Sequence, residues 1–206
     1  MFNLTDLQHD ALVEIFNIGV GHAAGAMSEI VNEEVTMSVP SISFLNRTEA
    51  AALLCNGEQR RVCGVSQRYE GAFTTEAILM FPEEKSLDIV RLMVGDAIAL
   101  TELSEMEQEA MSEIGNIILN SCVGTLANIF SQELCGSLPR YHVGTSDDIL
   151  AATGTAVDTV VLMLHIDFIL EKHQIHGYVA FVLDLSALND LQEQVDRYLA
   201  KITGGA

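Results

Sequence analysis

Two pairs of glutamate and asparagine, each three residues apart, occur in this sequence within segments that resemble each other. The pairs are Glu14 with Asn17, and Glu113 with Asn116, 99 positions later. On a helix, residues three apart lie on one side, so each pair directs a carboxylate and a carboxamide toward the same neighbour. The carboxylate can pair with a cation, and the carboxamide can hold and orient a water molecule because it donates and accepts hydrogen bonds. Each pair therefore predicts a site where a carboxamide orients a water molecule while the adjacent carboxylate pairs with a cation.

Two further positions accompany each pair at fixed distances. Asp10 precedes the first pair and Pro40 follows it, and Glu109 and Pro139 occupy the corresponding places around the second. A single Glu/Asn pair on an acidic helix would usually be an ordinary solvated face. Recurrence of all four positions at one offset favours function instead, since asparagine is a mediocre helix former that has no reason to recur in mid-helix.

The segments that carry these residues predict two long amphipathic helices, because residues 4–18 align with residues 103–117 at the same offset. Thr5 and Ser104 are N-cap candidates, with Gln8 and Glu107 three positions on, as in a capping box. The predicted buried face comprises Leu4, Leu7, Ala11, Ile15 and Ile18 in the first helix and Leu103, Met106, Ala110, Ile114 and Ile117 in the second. Beside it runs a polar strip about 80° wide. The strip comprises Asp6, Asp10, Glu14, Asn17 and Gly21 in the first helix and Glu105, Glu109, Glu113, Asn116 and Asn120 in the second. Small residues late in both helices predict that the helices approach each other closely there.

Strand-like segments follow each long helix, at 35–45 and 71–81 in the first half and at 156–169 and 176–185 in the second. Shorter helices are predicted at 83–94 and 186–201. This order predicts an α/β fold of the α+β type, in which an antiparallel sheet carries the helices on one layer. No Gly/Ser-rich linker separates the halves near residue 100. We therefore predict one domain, 1–206, built from two repeats of about 1–99 and 100–206 that are related by a pseudo-twofold axis.

Composition narrows the range of partners and locations. The chain carries 10 basic and 29 acidic residues, a formal charge of −19. Such a charge opposes binding to nucleic acids and to anionic membranes, and it favours a partner that presents lysines. The start of the chain does not resemble a signal peptide, and no apolar run approaches the roughly 20 residues that span a bilayer. Four scattered cysteines without a CxxC spacing indicate reduced thiols, so we expect a cytoplasmic protein without membrane insertion.

Possible metal ligands form no familiar pattern. His173 and His176 are three apart near a predicted strand, where they would point to opposite sides, and the sequence around them offers no third ligand. Cys55, Cys63 and His22 match no zinc-binding spacing. We expect these residues to have no role as ligands and the chain to hold no metal or cofactor of its own.

The pattern Asp/Ser-x3-Glu-x2-Asn-x22-Pro resembles the signature of the CheC, CheX and FliY phosphatases. The first copy matches it throughout, and the second departs from it only at Glu109, where the pattern has Asp or Ser. Length and duplication resemble stand-alone CheC proteins with two centres.

The resemblance implies hydrolysis of the aspartyl phosphate of a phosphorylated CheY-like response regulator. It implies that Asn17 and Asn116 orient the attacking water and that Glu14 and Glu113 engage the lysine of the regulator. It also implies that Mg²⁺ belongs to the regulator, and it suggests a CheD-type deamidase as a further partner.

Two other functions stay open. One is a non-catalytic docking module for a response regulator, a CheD-type deamidase or the flagellar switch. Because a docking module has no need to keep both members of each Glu/Asn pair, catalysis is favoured. The other, a metal-dependent hydrolase of small molecules, lacks an evident set of ligands.

Overall fold

Two long helices and a seven-stranded antiparallel sheet make up most of the molecule. A computed structural model describes residues 4–55, 61–94, 100–151, 159–170 and 173–204. The helices are α1 (Asp6–Val31), α2 (Arg47–Cys55), α3 (Ser86–Val94, after a 3₁₀ turn at Glu83–Lys85), α4 (Leu100–Phe130), α5 (Ser146–Ala151) and α6 (Leu185–Thr203). The strands are β1 (Val35–Leu45), β2 (Arg61–Gly71), β3 (Thr75–Pro82), β4 (Leu134–Gly136), β5 (Arg140–Thr145), β6 (Thr159–Leu170) and β7 (His173–Asp184). None of the helices in these ranges is long and apolar enough to cross a membrane.

The strands run in the order β1-β6-β7-β3-β2-β4, with β5 also beside β2, and all pairs are antiparallel. The predicted fold class is therefore confirmed. The four predicted strands and both shorter helices are present, and β1 has the predicted bounds. Residues 156–158 of the third predicted strand lie outside the described residues. Three strands, β2, β4 and β5, and two helices, α2 and α5, were not predicted from the sequence.

Strand register follows the internal offset. Val35 of β1 pairs with Leu170 of β6, and moving each partner by 99 positions gives Leu134 and Gly71, which also pair. The same operation converts the pair of Leu45 and Val161 into the observed pair of Val62 and Gly144. Each half thus contributes the edge strand that pairs with the other half, as a pseudo-twofold arrangement requires. The repeat bounds of 1–99 and 100–206 stay a prediction that this register supports.

Helices cover both faces of the sheet, so the prediction of a single helical layer was wrong. Alternate side chains of a strand point to opposite faces. Leu162 and Leu164 belong to the core under α1, α4 and α6, whereas Val161 and Met163 belong to a second core under α2 and α5. Because β6 and its neighbours are apolar on both faces, a second layer of helices is needed to exclude water from them.

The two long helices approach each other closely where their small residues cluster, as predicted. A Cβ added to Gly19 would lie 3.0 Å from Cα of Cys122 on α4. Capping differs from the prediction in one helix. Thr5 caps α1 in a complete capping box with Gln8, but α4 already includes Leu100, so Ser104 lies inside that helix and is not its N-cap. Glu107 instead accepts a hydrogen bond of 2.6 Å from the Tyr141 hydroxyl.

The buried face of α1 is rotated from the predicted one. Leu7 is 56% exposed and Ile18 is also exposed, whereas the buried residues follow the series Leu12, Ile15, Phe16, Gly19, Val20, Ala23, Ala24 and Met27. The helix packs against both the sheet and α4, so its buried surface is centred between these two contacts. Leu7 and Ile18 consequently lie on the solvent side, on the same side of the helix as Glu14.

Candidate functional site

The first candidate centre consists of Asp10, Glu14 and Asn17 on α1, with Pro40 on β1. Asp10 and Glu14 are exposed, and Asn17 is half-buried at the boundary between helix and sheet. Strand β1 shifts register between Ser38 and Ser41, so Val39 and Pro40 form an irregularity there. Proline fits such a position because it has no backbone N–H to contribute to the ladder.

The carboxamide of Asn17 binds this irregularity with both of its polar atoms. Its Oδ1 accepts a hydrogen bond of 2.9 Å from the backbone N–H of Val39. Its Nδ2 lies 3.3 Å from the Val39 carbonyl oxygen and 3.0 Å from that of Val13, one turn earlier on α1. The spacing between Asn17 and the residue before Pro40 thus has a structural explanation that was not predicted from the sequence.

The second candidate centre consists of Glu109, Glu113 and Asn116 on α4, with Pro139 after β4. Glu109 and Glu113 are exposed, and Asn116 is half-buried like Asn17. The segment that corresponds to β1 is divided here into β4 and β5, and Pro139 lies between them. Leu138, the counterpart of Val39, is 85% exposed. The backbone of the second copy therefore does not bind its asparagine as β1 binds Asn17.

Side chains hold Asn116 instead. Its Oδ1 accepts hydrogen bonds from Nε2 of Gln67 at 3.1 Å and from Nδ2 of Asn120 at 2.7 Å. Gln67 Nε2 also donates to the carbonyl oxygen of Ser137 at 2.9 Å. Within the described part of the chain, Nδ2 of Asn116 has no partner, so two N–H groups of a positioned carboxamide stay available.

A buried tyrosine completes this network below the centre. The Tyr69 hydroxyl lies 3.0 Å from Oε1 of Gln67 and 2.9 Å from Oδ1 of Asn120. Burial raises the pKa of Tyr69 well above its ordinary value, so the hydroxyl stays protonated and available as a donor at neutral pH. Asn120 was predicted to lie on the polar strip, but nothing in the sequence indicated Gln67 or Tyr69, which reach the site from β2.

The carboxylates of the two centres are free to bind a partner. Among the described residues, no lysine or arginine forms an ion pair with Glu14, Glu109 or Glu113, and Asp10 pairs only with the ring of His9, at 3.6 Å. Within the described part of the chain, no lysine or arginine therefore neutralises their charges. A cationic group on a docking protein would find them on the exposed strip.

Two buried cysteines, Cys63 and Cys122, are held as neutral thiols by their surroundings. Cys63 and Cys122 are fully buried and free. Burial, together with the nearby Glu107 carboxylate, raises the pKa of Cys63 to about 12, and burial raises that of Cys122 to about 12 as well. Both thiols stay protonated at neutral pH. The absence of a zinc ligand at Cys63 stays a prediction, and the side chain of Cys55 lies outside the described residues.

Comparison with known proteins places this arrangement in a family. The model of the CheC-like family matches residues 7–44, which include all four residues of the first centre. The CheY-P phosphatase CheC of Bacillus subtilis (strain 168) is 30% identical over 144 residues, which are 68% of this chain and 68% of that protein. The flagellar motor switch phosphatase FliY of the same organism is 25% identical over 143 residues, but this chain spans only 37% of its length. A crystal structure of Thermotoga maritima FliY has the same fold, with a TM-score of 0.77 and 19% identity over 96% of this chain and all of that one.

The fold is thus shared with the Thermotoga maritima FliY structure, and the first centre lies within the segment that the family model matches. The chain belongs to the CheC-like family.

Proposed function

We propose that this protein is a phosphatase that accelerates hydrolysis of the aspartyl phosphate of a phosphorylated CheY-like response regulator. The name of the B. subtilis relative, CheY-P phosphatase, supports this choice of substrate. We further propose that the protein acts in the cytoplasm, and that a CheD-type deamidase is a second partner. The observation that carries the catalytic proposal is the second centre, where a carboxamide held through its oxygen has its N–H groups available beside an exposed carboxylate.

The chemistry requires a water molecule aligned with the phosphorus atom. An N–H group of Asn116 can donate to the oxygen of this water, which leaves a second lone pair free to attack. Glu113, one turn away, can bind a cationic group of the regulator and so place the helix against the phosphorylated site. Because phosphoryl transfer depends mainly on positioning and electrostatic stabilisation, neither side chain has to form a covalent bond.

The surface around the centres supports docking of a protein partner. Leu7 and Ile18 are exposed on the same side of α1 as the carboxylate of Glu14. Apolar side chains beside unpaired acidic ones suit a partner surface that combines apolar contact with lysines. This arrangement alone would also suit a docking module, so turnover has to be measured separately from binding.

The test measures phosphate release from a phosphorylated regulator with wild type and with the double variant Asn17→Ala/Asn116→Ala. Loss of an oriented hydrogen-bonding group in such a site typically costs on the order of a hundredfold in rate. We expect a loss of this size, with affinity for the regulator nearly unchanged, because the water is held along the reaction path and not in the bound ground state. The double variant Glu14→Ala/Glu113→Ala should weaken binding as well.

Matched controls are available on the same helices. Asn128 on α4 and Glu29 on α1 are exposed and lie outside both centres. Asn128→Ala and Glu29→Ala should therefore leave both rate and affinity unchanged. If the double asparagine variant dephosphorylates the regulator as fast as wild type does, the phosphatase proposal is wrong and the docking module is the better account.

A further inference from the structure

Two histidines and an aspartate meet on the sheet face that is opposite α1 and α4. Nδ1 of His176 lies 2.6 Å from Oδ1 of Asp167, and Nε2 of His165 lies 3.8 Å from the same oxygen. One potential ligand atom from each residue lies within 4.8 Å of the other two. The imidazole rings of His165 and His176 are 5.6 Å apart between centroids.

Strand pairing places the cluster. His165 and Asp167 are two apart on β6, and Asp167 pairs directly with His176 of β7, so all three side chains are on one face. This is the face on which Val161 and Met163 are covered by α2 and α5. Farther along β6 and β7, past α2 and α5, this face carries polar side chains that reach solvent. The exposed fractions of the side chains of His165, Asp167 and His176 are 32%, 23% and 56%.

The surroundings limit the freedom of the cluster. Strands β6 and β7 are both interior strands of the sheet, so their backbones are held on two sides. Tyr178, which pairs with His165 across the strands, stacks on its ring with centroids 5.2 Å apart. His176 and Tyr178 also line a cavity of about 240 Å³, so one side of the cluster is open.

We propose that His165, Asp167 and His176 form a binding site for a divalent transition-metal ion of the Zn²⁺ type. Ligand atoms about 2.0–2.1 Å from a tetrahedral zinc lie roughly 3.3 Å from one another. The observed separations, from 2.6 Å to less than 4.8 Å, bracket that value. Small side-chain rotations bring the three atoms to it. The proton of the hydrogen bond between His176 and Asp167 moves to Nε2 of His176, and two bonds to the metal replace that hydrogen bond.

The choice of ligands defines the class of ion. Two imidazoles and one carboxylate suit Zn²⁺, Co²⁺ or Ni²⁺, whereas Mg²⁺ and Ca²⁺ prefer sites made of oxygen atoms only. Three protein ligands leave a fourth position for water or another small ligand. The formal charge of −19 adds a general attraction for cations.

This site revises the expectation drawn from His173 and His176. The sequence suggested no third ligand because His165 and Asp167 are 11 and 9 positions from His176. The pairing of β6 with β7 brings His165 and Asp167 next to His176 in space. The site is also separate from the proposed phosphatase centres, because the opposite face of β6, which includes Leu164 and Ile166, packs in the core beneath α1 and α4.

The experiment is a titration of untagged protein with zinc chloride in a calorimeter, in excess Mg²⁺ so that surface carboxylates are occupied. We expect one ion per chain. His165→Ala, Asp167→Asn and His176→Ala should each weaken binding by about tenfold or more, since each removes a ligand. His9→Ala, which removes an imidazole that lies on α1 and outside the cluster, should bind within about twofold of wild type.

A second measurement is independent of the heat of binding. An ion that binds only the folded state raises Tm, so Zn²⁺ should stabilise wild type and His9→Ala but not His176→Ala. The three cluster variants should keep the wild-type Tm without metal within a few degrees, because the side chains that they change reach solvent. The proposal is wrong if zinc does not saturate one site, or if the cluster variants bind and are stabilised as wild type is.

Discussion

The two centres differ in how their asparagines are held, and this predicts unequal activity. Asn17 has three hydrogen bonds to backbone groups, whereas the N–H groups of Asn116 have no partner within the described residues. Presenting the Asn17 carboxamide to a water molecule breaks one or two of these bonds. At about 1 kcal/mol net for each bond, the first centre has an additional cost of about 1–2 kcal/mol. Since about 1.4 kcal/mol changes a rate tenfold, the first centre should be roughly 5–30 times slower than the second.

Single variants measure this difference. If the rates of the two centres add, Asn116→Ala should keep only about 3–16% of the stimulated rate, and Asn17→Ala should keep about 84% or more. The stimulated rate is the release of phosphate from a phosphorylated CheY-like regulator, minus spontaneous release, at a concentration of the regulator that is well below saturation.

Asn17→Ala should lose more stability than Asn116→Ala, although it should lose less activity. Val39 is buried, and its N–H loses its acceptor in Asn17→Ala, so the free energy of unfolding should fall by about 1–3 kcal/mol. Asn116→Ala should cost less, because Gln67 keeps the Ser137 carbonyl as a partner and Asn120 is exposed to water. Urea denaturation of both variants provides the comparison.

Equal losses of rate in the two variants, or a larger loss in Asn17→Ala, would refute the assignment of unequal centres.

Three further predictions concern docking, packing and pH. Affinity for a phosphorylated regulator should fall as salt rises beyond about 0.15 M, where the Debye length is about 8 Å, and a flat salt profile would mean that charge does not govern docking. Gly115→Ala should lower the free energy of unfolding by about 1–3 kcal/mol, because the new Cβ would lie 2.4 Å from Val65. The matched control Gly25→Ala, which meets nothing within 4 Å, should be neutral or stabilising by up to about 1 kcal/mol in the same urea denaturation, and equal effects would contradict this account of the packing. Burial raises the pKa of Cys63 and Cys122 from 9.0 to about 12. Their contribution to stability is therefore fully present below pH 9 and is lost as pH rises toward 12, with a slope of up to about 1.4 kcal/mol per pH unit for each thiol. Unfolding free energies that stay constant between pH 8 and pH 11 would show that these thiols are not held neutral by the fold.

Local patterns in the sequence were sufficient for several features. The capping box at Thr5, the bounds of β1 and the recurrence of Glu14 and Asn17 as Glu113 and Asn116 all depend on residues that are near each other in sequence or related by a constant offset. The small residues near Gly19 predicted the close approach of the long helices for a similar reason, since side-chain volume is a property of the residue itself. The prediction from charge, a partner that presents lysines, stays a prediction.

Local sequence patterns did not predict which elements pack against each other. Leu7 and Ile18 have the spacing of a buried face, yet they are exposed because the contacts of α1 with both the sheet and α4 determine which side is buried. Strand β6 is apolar on both faces, and hydrophobic periodicity does not show which elements cover such a strand. The second layer of helices was therefore not predicted. Strand β2, which supplies Gln67 to the second centre, was missed altogether.

The sequence by itself determined the duplicated plan, the antiparallel α/β class and the positions of both Glu/Asn pairs, because these follow from local spacing and from repetition. Only the tertiary structure decided that Asn17 is bound by the backbone of Val39 while Asn116 is held by side chains from β2 and α4. It alone brought His165 and Asp167 to His176. Hydrogen bonds between residues far apart in sequence depend on strand register and helix packing, which are set by the whole core and not by any one segment.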